Sequence, residues 1–281
     1  MAIAPFKEAL SLLTRMPLLW LPGLVAGLLA AALWILLNIA GTFFTSRLVV
    51  IFGLVLLLFI TGMLAIIRNN SGDFREMMTL GIQYYFRVLL PQMVIIFTLI
   101  LVFAIMAITT TLITGTPDMG LLSALTLGIM IPTLLFTFFF DTAAVFEDKK
   151  VFESIQRSII LVNVNAIEVL KFFVISAVVS FAVLFSLMMV WEGTLYDKLE
   201  PLTQYNETQI QSFTPDQLVA MIGPDGMWIT AVVLFIGFFV LVPVLYTYKA
   251  CFFRTLAGKT ISITQQPTTG EYDSKGRWYK Y

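Results

Sequence analysis

The segment VFEDKKVFESIQRSIILV, residues 145–162, interrupts a chain that is otherwise strongly apolar. It follows the run LLSALTLGIMIPTLLFTFFFDTAA and precedes, after NVNAIE, the run VLKFFVISAVVSFAVLFSLMMVW. Both runs are long enough to cross a bilayer, because a membrane-spanning helix needs about 20 apolar residues. The charges at 147–150 therefore end one span. Residues 152–163 are predicted to form a short amphipathic helix before the next span.

The composition indicates an integral membrane protein. Hydrophobic residues make up 59% of the chain and charged residues 12%, whereas soluble proteins have about 45–50% and about 25%. The chain has no histidine, which excludes Ser-His-Asp triads and histidine-ligated metals. Its one cysteine, Cys251, excludes an intrachain disulfide. The net charge of zero argues against a nucleic-acid partner.

Six runs qualify as membrane spans, and their continuous apolar character predicts helices and not barrel strands. The fold class predicted is therefore all-α, a polytopic protein with six transmembrane helices. The runs are at residues 18–39, 48–67, 88–113, 121–146, 167–190 and 227–250.

Lys and Arg are distributed unevenly between the two sets of connections. Of the 17 such residues, all except Arg47 and Lys198 lie at the N-terminus, in the links 68–87 and 147–171, or from residue 249 onward. Positive residues favour the cytoplasmic side. This predicts a multi-pass protein of the cell membrane with both termini in the cytoplasm. Asn206, in the sequon NET, would then lie outside as a candidate glycosylation site.

Three cytoplasmic stretches resemble one another. Residues 6–15, 74–86 and 152–163 each begin with Phe followed by charge, and each leads into an odd-numbered span. We interpret them as interfacial helices, each followed by a helical hairpin, which gives three parallel units. Pro17 and Pro91 are expected to form the corner between helix and span in the first two units. Ordinary amphipathic junctions without internal duplication are the alternative.

The domain organisation follows from these spans. Residues 1–253 are predicted to form the membrane domain, with a long outer loop at 191–226, and residues 254–281 a cytoplasmic polar and aromatic tail. Within the loop, TPDQLVAMIG has helix start and stop signals, with Thr214 as N-cap and Gly223-Pro224 as terminator.

Asp141 is the most conspicuous candidate for a functional side chain, because a charge inside a span is costly and needs a partner. Lys249 is the first candidate partner and Lys171 the second, since Glu168 competes for Lys171 on its own helix. A structural ion pair near the inner boundary is preferred over a transport-coupling site.

The sequence contains no catalytic constellation. Phosphate-binding glycine motifs are absent, and so are a second intramembrane aspartate and any cluster of Cys and His. We therefore expect neither an enzyme nor a cofactor or metal.

Two stretches carry a resemblance to known proteins: FKEALSLLTRMPLLWLPGL near the start and AAVFEDKKVFESIQRSIILV in the middle. The chain resembles prokaryotic, largely archaeal, six-span families of unknown function. It also looks similar to the membrane domain of glycerophosphodiester phosphodiesterases, whose catalytic domain has no counterpart here. The resemblance implies a membrane fold and brings no activity or site residues.

Two classes of function remain open. A transport- or pore-type protein for a small solute or lipid is favoured by kinked spans with internal polar residues. A membrane-organising or partner-binding scaffold, with lipid-contacting interfacial helices and no catalysis, is the alternative. Membrane lipids are the expected partners, and a homo-oligomer or another membrane protein is left open. A polar cavity reaching midplane would favour transport, whereas a solid bundle with a lipid groove would favour the scaffold.

Overall fold

Helices dominate the fold. The computed structural model describes residues 2–115, 119–200, 215–264, 270–272 and 278–280. A 3-10 helix, Pro17–Trp20, joins α1 to α2. The α-helices are α1 Ile3–Arg15, α2 Leu21–Asn69, α3 Phe74–Thr114, α4 Met119–Thr137, α5 Phe140–Phe146, α6 Val151–Val164, α7 Ala166–Thr194, α8 Tyr196–Leu199 and α9 Pro215–Thr264.

Five helical segments of the described chain are long and apolar enough to cross a membrane. A membrane-embedded helical protein is therefore what the structure supports, as the composition predicted. The segments are Pro17–Asn69, Phe74–Leu112, Leu122–Phe146, Ala166–Thr194 and Gly223–Gly258.

The first of these segments contains two of the predicted spans. Gly41 has φ 77° and ψ 175°. This conformation lies outside the helical region, and glycine adopts it more readily than other residues. A straight helix of 49 residues would be about 74 Å long. Instead, Leu33 and Val49, from opposite sides of Gly41, line one cavity together with Leu234 of α9. The chain thus bends back at Gly41.

The core is concentrated where the cytoplasmic ends of the helices are predicted to lie. One buried cluster joins Leu19 to Met63 and Ile66 of α2, and another joins Phe139 to Phe172 and Phe252. Helix α1 is part of this core, although its sequence predicts an interfacial helix. Its buried residues are Pro5, Ala9 and Leu13.

Helix boundaries separate the first and third predicted interfacial helices from their spans. Helix α1 ends before Met16, and α6 ends at Val164, with Asn165 between it and α7. The corner expected at Pro91 is wrong, because α3 continues through it from Phe74 to Thr114. A proline removes one helical hydrogen bond and kinks a helix, but neighbouring helices can maintain its course. The three-unit repeat therefore stays a prediction.

The outer loop and the tail also differ in part from expectation. A helix does begin at Pro215, and Gly223 interrupts it with φ 70°. Asn206 and Thr214 lie outside the described residues. Helix α9 runs past the predicted domain boundary at residue 253. In the tail, Gly270–Tyr272 (β1) pairs antiparallel with Trp278–Lys280 (β2), a short hairpin that the all-α prediction did not include.

Candidate functional site

The candidate site is built around a break in the predicted fourth span. Helix α4 ends at Thr137 and α5 begins at Phe140. Ser158 of α6 supports the break: its Oγ accepts the Phe139 N–H at 2.9 Å and donates to the Phe136 carbonyl at 2.7 Å. Non-helical backbone is tolerated at membrane depth where it is buried in protein or lines a cavity, and both conditions hold here.

Just beyond the break, Asp141 is paired with Lys249 of α9. Lys249 Nζ lies 2.7 Å from Asp141 Oδ2, and the two residues are 6% and 4% exposed. The other carboxylate oxygen, Oδ1, accepts the Thr142 N–H at 2.6 Å. The structure therefore brings together the two residues that sequence reasoning ranked first. They lie on different helices and are 108 positions apart in the sequence.

Aromatic rings surround the Lys249 ammonium. Its Nζ lies 4.2 Å from the centre of the Phe138 ring and 5.4 Å from that of Tyr246. An ammonium over an aromatic face is attracted by the ring quadrupole, more strongly when water is excluded. The rings and Asp141 together hold the cation in a fixed place.

Lys171 is not part of this arrangement. Its Nζ lies 3.2 Å from Glu168 Oε1, one turn away on α7, and its side chain is 53% exposed. The competition from Glu168 that the sequence indicates is thus present in the structure.

A cavity of about 640 Å³, here called the inner cavity, opens beside the ion pair. Along α3 its wall runs from Val88 to Leu99, which is about 16 Å, or half of a hydrocarbon core. Its walls are mainly aliphatic and aromatic. Five of the lining residues have polar side chains: Gln92, Thr137, Asp141, Tyr246 and Lys249.

This lining indicates what the cavity can bind. An apolar pocket with a few polar groups at one end is the general form of a small-ligand site. It does not resemble a water-filled path, which would need polar groups along its length. Among the described residues no group of three or more acidic or cysteine side chains is placed to hold a metal ion.

A second charged cluster fixes the link between α5 and α6. Asp148 accepts from Arg68 Nη2 at 2.6 Å and from the Tyr84 hydroxyl at 2.6 Å, and Arg87 Nη1 lies 3.2 Å away. Arg68 also donates to the Val145 carbonyl at 2.7 Å. The hydrogen bond from Arg68 lowers the pKa of the Asp148 carboxyl, with Tyr84 acting in the same direction and burial opposing.

Two further ion pairs join the short helices α1 and α6 to their neighbours. Arg157 forms a forked interaction with Glu147, with its Nε 2.8 Å from Oε2 and its Nη2 2.8 Å from Oε1. Arg254 of α9 pairs with Glu8 of α1. These contacts hold α6 against the end of α5 and α1 against α9.

Sequence reasoning missed several residues of the site. Ser158 and the break that it supports carry no glycine or proline signal, since the surrounding sequence is TFFFD. Phe138 and Tyr246 look like ordinary span residues. Gln92, directly after Pro91, gives the one signal that the sequence offers, because an amide inside a span is costly unless it faces protein or a cavity.

An apolar helical bundle with a buried ion pair and an adjoining cavity, together with five helical segments long enough to cross a membrane, defines this protein as a polytopic α-helical membrane protein. Residues 1–256 match the family model described as Domain of unknown function (DUF7847), and the chain belongs to that family. No curated protein and no solved structure matches it. The resemblance to phosphodiesterase membrane domains stays a prediction.

Proposed function

We propose that the protein is a transport-type membrane protein for a lipid-like substrate, which binds a zwitterionic amphiphile in the inner cavity. One observation carries this proposal: a buried pair of opposite charges, Asp141 and Lys249, faces an otherwise apolar cavity. The proposal assigns binding and movement of a ligand to the protein, and no catalytic step.

The cavity walls favour an acyl chain over a small water-soluble solute. A polar solute would lose its hydration against aliphatic walls without gaining hydrogen bonds, at about 1–3 kcal/mol or more for each unsatisfied group. An acyl chain has no such groups. The apolar end of the ligand is therefore placed against aliphatic side chains, towards the membrane midplane.

The ion pair favours a head group with both charges. An ammonium has three donors, and in the described part of the chain Lys249 Nζ has one hydrogen-bond acceptor, Asp141. A phosphate oxygen can accept the remaining donors, while the ammonium of the ligand approaches Asp141. A zwitterion leaves the site neutral, whereas a purely anionic head would leave a net charge in a medium of low dielectric constant.

The same proposal includes the membrane topology. We infer six spans, with Gly41 as the turn between the first two, and both termini on the cytoplasmic side of the cell membrane. The bend at Gly41 and the excess of Lys and Arg on one side support it. The ion pair then lies near the inner boundary, at the level of inner-leaflet head groups.

Native mass spectrometry of the protein in detergent tests the binding site. The probe is lysophosphatidylethanolamine, compared with the anionic lysophosphatidic acid and the uncharged monoacylglycerol of the same chain length. We expect the zwitterion to bind best. We also expect Asp141→Leu combined with Lys249→Met to abolish this preference. Equal binding of all three probes, or an unchanged preference in the double variant, would contradict the proposal.

A scaffold that organises lipids or partners is the second candidate. Its specific support is the pair of short helices α1 and α6 at the inner boundary, where Phe152 is 73% exposed on α6. Such a protein would bind lipid or a membrane-protein partner without moving either. Transfer of a labelled lysophospholipid between the leaflets of reconstituted liposomes distinguishes the two, because transport requires it and a scaffold does not.

A further inference from the structure

A second apolar cavity begins where the inner cavity ends. It has a volume of about 620 Å³, and helices α7 and α9 form its walls. We call it the outer cavity. Tyr246 lines both cavities. From Tyr246 the outer cavity follows α9 back to Thr230 and α7 up to Trp191.

The two cavities have complementary chemistry. The inner cavity ends at the Asp141–Lys249 pair, whereas the outer cavity is lined almost entirely by aliphatic and aromatic side chains. At its far end, the Trp191 indole N–H donates to Thr230 Oγ1 at 2.9 Å. That hydrogen bond satisfies the polar atoms of both side chains, so this end offers an apolar surface to a ligand.

The distance from the ion pair to the far end of the outer cavity is greater than one leaflet. From Lys249 to Thr230 along α9 is about 28 Å at about 1.5 Å per residue, against a hydrocarbon core of about 30 Å. An ordinary acyl chain of an inner-leaflet lipid occupies half of that thickness. A chain that runs from the ion pair to the far end of the outer cavity must therefore pass the midplane.

We propose that the polar end of the inner cavity and the outer cavity form one continuous track, and that the substrate is a long single-chain amphiphile. Its head group lies at Asp141–Lys249 and its chain passes Tyr246 into the outer cavity. This inference rests on the proposed function and adds the substrate class. Tyr246 and Gly237 determine chain-length specificity, because Tyr246 stands at the junction and Gly237 presents no side chain in the wall of the outer cavity.

Gly237 provides the test. A Cβ at this position would lie 3.2 Å from Leu187 Cδ1, which also lines the outer cavity, so Gly237→Leu should narrow it. Gly128→Leu on α4 is the matched control, since nothing lies within 4 Å of a Cβ there. The probes are two lysophosphatidylethanolamines, one with a chain shorter than a leaflet and one with a longer chain. Binding to the intact protein is measured by native mass spectrometry.

We expect the wild type and Gly128→Leu to bind the long-chain probe about fivefold more tightly, an advantage that a modest number of added packing contacts supplies. Gly237→Leu should bind both probes equally and keep the affinity for the short one. Equal binding of the two probes by the wild type would overturn the track while leaving the head-group site intact. Binding of neither probe, or binding unaffected by loss of the ion pair, would instead overturn the proposed function.

Discussion

Replacing Asp141 by Leu should destabilise the protein strongly, because Lys249 would remain buried without its counter-ion. Lys249 is 6% exposed and lies 2.7 Å from the carboxylate. Breaking a buried ion pair from one side costs about 3–5 kcal/mol. The Phe138 ring, 4.2 Å from Nζ, contacts Lys249 with or without Asp141 and does not reduce the difference. A loss of about 3–5 kcal/mol is therefore expected.

The assay is thermal unfolding in detergent, followed by circular dichroism. For domains of about 150–250 residues, each kcal/mol shifts Tm by about 2–4 °C, so Asp141→Leu should lower Tm by roughly 6–20 °C. Lys249→Met should act in the same direction. The double variant should recover most of the loss, because well-packed apolar residues often replace a buried pair at no cost.

A double-mutant cycle tests whether the two charges stabilise each other. The loss in the double variant should be far smaller than the sum of the two single losses. If the single variants keep the wild-type Tm, or if their losses simply add, then the two charges are not coupled and Asp141 does not hold Lys249 in place. The conclusion that the ion pair links α5 to α9 would then be wrong.

Three further predictions concern packing, pH and topology. Gly62→Leu should lower Tm, because its Cβ would lie 2.6 Å from a backbone oxygen of α3, whereas Gly53→Leu, with nothing within 4 Å, should leave Tm within about 2 °C of wild type. Asp148→Asn should lower stability at neutral pH by about 0–1 kcal/mol, a screened value for a half-exposed pair. Since the native state lowers the pKa of Asp148, its stabilisation is present above the unfolded pKa of about 3.9 and is lost as pH falls through the native value. Tm curves of the wild type and Asp148→Asn that do not approach each other as pH falls below about 4 would contradict this. In a variant without the native cysteine, Lys198→Cys should react with an impermeant thiol reagent from outside and Lys149→Cys should not, and the reverse pattern would refute the topology.

The sequence predicts the helical membrane character because long apolar runs have few stable alternatives in a bilayer. It also identifies Asp141 and Lys249, since a charge in a span stands out against apolar neighbours. The break before Asp141 could not be predicted in the same way. It depends on tertiary hydrogen bonds of Ser158, which accepts the Phe139 N–H and donates to the Phe136 carbonyl, and no local residue preference indicates such a partner.

Helix α6 shows a second limit of prediction from hydrophobic periodicity. Phe152, Ile155, Ile159 and Val162 form its apolar face in sequence, yet Phe152 and Ile159 are exposed, while Ser154 and Ser158 are fully buried. In a membrane, apolar side chains gain little by leaving lipid, so small polar residues are favoured between helices. The periodicity therefore predicts a helix correctly and leaves its orientation undetermined.

The most direct test of the amphiphile site is photo-crosslinking in liposomes. The probe is a lysophosphatidylethanolamine with a photoreactive group next to the phosphate, and labelled peptides are identified by mass spectrometry. The account predicts labelling concentrated at residues 137–141 and 246–249, and loss of that labelling when Asp141→Leu and Lys249→Met are combined. Labelling spread evenly over lipid-exposed residues such as Phe97 and Ile100, or unchanged in the double variant, would contradict it.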